Sequence, residues 1–184
     1  MWWARLLNSL VALYDSGAGG GGATSYESIQ TVTVGAGGSS SISFSSIPST
    51  YAHLQIRCIN RGGTSANMTF NSDTGSNYAR HYLEGTGSSA IAGGSSSTSN
   101  IDAIDNTTTA NVFAANIVDV LDYANVNKYK TSRILAGVDT NGGGYVDLYS
   151  GLWMSTSAIS TVTINSAGGN FSQYSTFALY GIKA

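Results

Sequence analysis

Charge is scarce in this chain. Of 184 residues only 10% are Asp, Glu, Lys or Arg, where soluble domains usually carry about 25%. The basic residues (Arg5, Arg57, Arg61, Arg80, Lys128, Lys130, Arg133, Lys183) are scattered and the net charge is −2. A nucleic-acid binder needs a basic stripe to displace counterions from phosphates, so nucleic acid is not an expected partner. The single cysteine, Cys58, excludes an internal disulfide framework. It alternates in phase with Leu54 and Ile56 and reads as a small buried hydrophobe. No apolar run approaches the roughly 20 residues of a membrane-spanning helix, and no membrane partner is expected. Residues 1–14 are apolar, but no basic region precedes them and Arg5, Asn8 and Ser9 interrupt them, which argues against a cleaved signal peptide.

Catalytic motifs are equally sparse. The two histidines, His53 and His81, stand in no HExxH pattern, and neither a GxSxG elbow nor a GxxxxGK[ST] loop occurs. Asp119 and Asp122 are three apart and would face opposite sides of a strand. Asp102 and Asp105 read as members of a polar loop. Asn71-Ser72-Asp73-Thr74-Gly75-Ser76-Asn77 spaces oxygen donors around a glycine as calcium loops do, yet lacks the second acid and the closing glutamate, and reads as an Asx-rich turn. No catalytic residue, metal ligand or cofactor is expected.

What is present is alternation. Gln30, Val32 and Val34 alternate with threonines, Ile42 and Phe44 with serines, and Leu54, Ile56 and Cys58 with His53, Gln55 and Arg57. Each run ends in a Gly-, Asn- or Pro-containing cluster, including the lone Pro48. Asn125–Lys128 and Asn141–Gly144 look like hairpin connections. Gly85–Ser99 reads as a long Gly/Ser loop. Residues 112–124 are apolar on both faces, with Val112, Ala114, Val118 and Val120 on one and Phe113, Ala115, Ile117, Leu121 and Tyr123 on the other. A strand of this kind is central to the sheet or contributes to a subunit interface. A helix is the rival reading, and the flanking asparagines and β-branched residues favour the strand. These signals predict an all-β fold, an antiparallel β-sandwich or jelly roll over residues 26–184.

Ahead of it, residues 17–25 form a Gly-rich linker, and residues 1–16 form an apolar segment. In that segment Trp2, Trp3, Leu6, Leu7, Leu10 and Tyr14 recur at the spacing of one helical face. Tyrosine is abundant, at 11. Tyr78, Tyr82, Tyr145 and Tyr149 are candidate interface or glycan contacts, since a tyrosine ring packs while its hydroxyl stays wet. Ordinary packing at the edge of the core is the alternative.

Several stretches carry a resemblance. Tyr26-Glu27-Ser28-Ile29, Ile47-Pro48-Ser49-Thr50-Tyr51, His53-Leu54-Gln55-Ile56-Arg57 and Asn71–Tyr78 resemble a family of structural proteins of tailed bacteriophages, of the tail-fibre-like or decoration kind. The likeness continues through Leu121-Asp122-Tyr123-Ala124-Asn125, Ser150-Gly151-Leu152-Trp153 and Phe177–Lys183. It spans roughly residues 26–184 and implies a non-enzymatic component of the virion. The family carries no assigned catalytic or metal site, so no functional residue is transferred. On this reading the β domain self-associates, as a homotrimer, and residues 1–16 dock it onto a capsid, connector or tail protein. The alternative is a receptor-binding tip that recognises host surface glycan.

The five residues Trp2, Trp3, Leu6, Leu7 and Leu10 would leave an uncovered apolar patch if nothing met them. The virion-anchor reading and one in which the segment caps its own domain make opposite predictions. Deleting residues 1–16 is expected to leave the β domain folded while abolishing its incorporation into particles, measured as subunit occupancy on purified virions. Normal occupancy would remove the anchor role, and an unfolded truncation would favour the cap.

Overall fold

The computed structural model of the protein describes residues 25–183. It consists of twelve strands, with no helix among the described residues: β1 (Tyr26–Thr33), β2 (Ser41–Phe44), β3 (His53–Asn60), β4 (Ser65–Phe70), β5 (Tyr78–Gly85), β6 (Ala90–Thr98), β7 (Ile101–Ile104), β8 (Ala114–Leu121), β9 (Lys130–Asp139), β10 (Gly144–Trp153), β11 (Val162–Ala167) and β12 (Thr176–Ile182). Eight form one sheet in the order β1-β12-β3-β8-β9-β10-β5-β6, and four form the other, β2-β11-β4-β7. Every pairing is antiparallel.

The order becomes intelligible when two hairpins, β5–β6 and β9–β10, are set aside. The remaining strands run β1-β12-β3-β8 over β2-β11-β4-β7, the double Greek key of a jelly roll. One hairpin is inserted between β4 and β7 and the other between β8 and β11. They pair with each other through β10 and β5 and widen only the first sheet. That sheet therefore overhangs β7, the edge of the smaller one.

Alternation places one set of side chains inside. Leu54, Ile56 and Cys58 of β3, Val118 and Val120 of β8, and Phe177 and Leu179 of β12 face Ile42, Phe44, Met68, Phe70, Val162 and Ile164 of the smaller sheet, all buried in one cluster. Each large side chain contributes about 1.5–3 kcal/mol on burial. Burial pushes the Cys58 thiol well above its ordinary range, leaving it inert. At the β3–β4 turn, Gly62 and Gly63 hold φ of 107° and 74°. A Cβ there would stand 2.2 Å and 2.4 Å from the carbonyl oxygens of Asn170 and Ala167, so only glycine fits.

Three expectations need correcting. Gly85–Ser99 is not a loop, because Ala90–Thr98 forms β6 and pairs along β5. Its glycines are needed there: a Cβ on Gly93 would sit 2.7 Å from the Tyr82 ring, and one on Gly94 2.5 Å from His81. Asp102 lies on β7 rather than in a loop. The apolar strand of 112–124 is Ala114–Leu121, and Tyr123 is buried instead of sharing the outer face. The strand ends at Leu121, and Asp122, at φ 48°, turns the chain so that the next side chain points inward.

One interior charge is fully provided for. Lys130 is 1% exposed, and its Nζ donates to the carbonyl oxygens of Asn125 at 2.5 Å, Lys128 at 2.9 Å and Thr156 at 3.1 Å. Burial, then repulsion from Lys128, lowers its pKa. Replacing it by methionine (Lys130→Met) keeps the stem and orphans the three carbonyls. A loss of roughly 2–4 kcal/mol is expected, read as a lower denaturation midpoint at unchanged slope.

Candidate functional site

Two surfaces stand out, one on each side of the widened sheet. On the outer face the strand register aligns apolar side chains across the molecule. Ile117 of β8 lies opposite Leu135 of β9, Leu135 opposite Leu148 of β10, and Leu148 opposite Leu83 of β5. A second row runs alongside: Ile59, Ala115, Gly137, Val146 and Gly85. The six large residues of these rows are between 42% and 61% exposed. Isolated exposed leucines are ordinary, but contiguous rows of this kind mark an interaction surface. The glycines of the second row deepen it into an open concavity of about 680 Å³ walled by Phe113 and Tyr145. Asp119 and Arg133 face each other in the next row out, giving the patch a polar rim.

On the inner face, the overhang past β7 is finished with polar groups. The sequence-picked tyrosines separate here. Tyr78 is wholly buried: its hydroxyl accepts from Phe70 N at 3.0 Å and donates to Asp73 O at 3.0 Å, so it is no surface contact. Asp73 itself is occupied by Trp153 Nε1 at 2.7 Å, Gly75 N at 2.8 Å and Asn77 Nδ2 at 3.0 Å. These donors hold its carboxyl below the usual range, and the Asn71–Asn77 loop is a turn. The other three tyrosines converge. Tyr145 and Tyr149 line a partly open pocket of about 170 Å³ with Arg80, Glu84, Asp102, Asp105 and Asp147. Tyr82 packs against Tyr149 with ring centroids 5.9 Å apart. Arg80 and Asp102, paired at 3.2 Å, join this pocket to a groove of about 570 Å³ lined by Ser95, Ser97, Thr98 and Asn100. Trp2, Trp3, Leu6, Leu7 and Leu10 lie outside the described residues.

The pocket is held by an amide ladder. Asn116 Oδ1 accepts from Asp105 N at 2.8 Å, and its Nδ2 donates to Asn60 Oδ1 at 2.9 Å. Asn60 Nδ2 donates to Asp105 O at 2.8 Å, and Asn106 Nδ2 donates to Gly62 O. The segment after β7 is thereby fastened to β3 and β8, and Asp105 faces Asp147 of β10. The Tyr149 hydroxyl lies 2.7 Å from Asp147 Oδ2 and 3.0 Å from Asp105 Oδ1, with one proton for two acceptors. Burial, then the Asp147 charge, pushes the Asp105 carboxyl up to about 7. Burial and the two carboxylates push Tyr149 far above its ordinary value. Asp105 Oδ2 and Asp147 Oδ1 are buried with no hydrogen-bond partner.

Sequence reasoning missed this cluster. Its one signal was Asp147, in phase with Tyr145, Tyr149 and Trp153 within an otherwise apolar run. The asparagines gave none, since Asn60 and Asn116 are polar residues at core positions of apolar strands. No protein-family model matches the chain, and a search of curated proteins finds no match either.

The pair makes stability pH-dependent, with a definite sign. A carboxyl whose folded pKa is raised keeps its proton where the unfolded chain has already lost it. The contribution of this carboxyl to stability is greatest below about pH 4, falls by up to about 1.4 kcal/mol per unit as pH rises toward 7, and levels off above. Asp105→Asn is expected to flatten that slope in denaturation series at pH 4, 5.5 and 7. An unchanged slope would place the proton elsewhere.

Proposed function

We propose that the chain is a non-enzymatic structural subunit of a tailed-bacteriophage virion, an exposed decoration or fibre-type module. It self-associates through the outer face of the eight-stranded sheet and is carried by residues 1–16 to another virion protein. The observation that supports this reading is the aliphatic row Ile117, Leu135, Leu148 and Leu83. Four neighbouring strands offer it to solvent as one contiguous row on a domain with little charge. A second copy is the natural occupant. The nine residues of the two rows carry no charge, and the Asp119–Arg133 rim beside them is self-complementary. Three copies arranged about an axis bury the extra face, which makes a homotrimer the expected state. The phage assignment rests on the resemblance of residues 26–184.

A second reading is favoured by one specific feature. The hydroxyl-lined groove beside Arg80 and Asp102, with Tyr82 and Tyr145 near it, has the chemistry of a glycan subsite. Its acidic neighbours favour a neutral sugar over an anionic one.

Both readings meet in one experiment. Light scattering on the full-length protein is expected to give the trimer mass at micromolar concentration. The double variant Leu135→Asp, Leu148→Asp is expected to give the monomer mass with an unchanged β-type circular dichroism spectrum. A monomeric wild type would overturn the self-association. Glycan-array binding retained by the monomeric variant would instead favour the receptor role.

A further inference from the structure

The pocket between β5, β7 and β10 holds something the structural role does not use. Asp105 is 6% exposed and Asp147 1%. Each keeps one oxygen, Oδ2 and Oδ1 respectively, buried and without a partner. An unpaired carboxylate inside a protein is costly, and such groups are ordinarily paired or coordinated to a metal. Lys130 obeys that rule, with three carbonyl oxygens on its ammonium. Asparagine at either position would have removed the charge at no cost in volume.

We propose that this pocket is a binding site for one calcium ion, with Asp105 and Asp147 as its two carboxylate ligands.

The lining decides the chemical class. Among the residues around the cavity the donors are carboxylates, hydroxyls and an amide, with no sulfur and no imidazole. That set suits a hard cation rather than zinc or copper. Glu84 and Asp102 add negative charge at the walls, which excludes an anion. Arg80 is the one cationic side chain lining the cavity, and it is engaged by Asp102 at 3.2 Å and stacked over Tyr82 at 5.3 Å. Among the described residues no three acids or imidazoles close on a single point, so water must complete the shell. A cavity of about 170 Å³ leaves space for it. Irregular coordination by a mixed set of oxygens is tolerated by calcium and not by magnesium, which demands a near-ideal octahedron. The ligands are positioned beforehand: Asp105 by Asn60 and Asn116, Asp147 by its place on β10 between β9 and β5. Bound calcium would fasten the inserted hairpins to the edge of the jelly roll. With only two carboxylates, the affinity belongs with extracellular modules, about 10⁻⁴–10⁻³ M.

The test uses the full-length protein stripped with a chelator and titrated with terbium, whose luminescence Tyr145 and Tyr149 are placed to sensitise. Sensitised emission that calcium displaces, together with a calcium-dependent rise in Tm, is expected. Asp147→Asn and Asp105→Asn should each weaken both responses at least tenfold, while Asp139→Asn, an exposed acid at the β9–β10 turn, should leave them unchanged. If the wild type shows neither emission nor a Tm shift with calcium at about 10⁻² M, above the extracellular range, the site does not exist and the pair is closed by a proton alone. That arm does not depend on any variant folding. Undiminished emission from folded Asp105→Asn and Asp147→Asn proteins would likewise overturn the assignment, by placing terbium elsewhere.

Discussion

The two sheets differ in width, and most of what distinguishes this molecule follows from that. A jelly roll balances four strands against four. Here β9–β10 and β5–β6 extend one layer to eight while the other stays at four. A sheet with no partner layer must end its inner face in some other way, and its outer face grows in proportion. The polar pocket and the exposed aliphatic rows are the two consequences, on opposite sides of the widened sheet.

On the inner side the change from oil to water is made in steps. Along most of β3 and β8 the inward side chains, Leu54, Ile56, Cys58, Val118 and Val120, are apolar. At the edge of β7 come the amides of Asn60, Asn106 and Asn116, which satisfy one another and the backbone they touch. Beyond them lie Tyr149 and the two aspartates, where the hydrogen-bond accounting stops closing. Lys130 is the instructive contrast. It too is an interior charge, but two connections of the chain direct three carbonyl oxygens at it. Strain of this kind in a polar network is commonly kept where something binds.

On the outer side, register does the organising. Ile117, Leu135, Leu148 and Leu83 come from three separate stretches of sequence and form one row because antiparallel pairing sets them opposite each other. A slip of one residue in β9 would turn Leu135 inward and Ile134 outward, and would break both the core and the row.

The period-two runs, the punctuating glycines and the lone buried cysteine were enough to establish an all-β sandwich over residues 26–184. Alternation is a local property, and the pleat converts it directly into inside and outside. The two-sided strand was legible for the same reason, since Ala114, Val118 and Val120 alternate with Ala115, Ile117 and Leu121, interrupted only by Asn116 and Asp119. β6 was not, because Gly93 and Gly94 carry no strand signal of their own and are demanded only by the rings of Tyr82 and His81 on the neighbouring strand. Nor was the pairing of Asp105, just after β7, with Asp147 of β10, which meet through an insertion that local pattern does not register. Local chemistry along the chain determined which residues face the core. Which of them meet was decided by the crossing of β5 to β10, because backbone hydrogen bonding between distant strands sets that distance and no side-chain period encodes it.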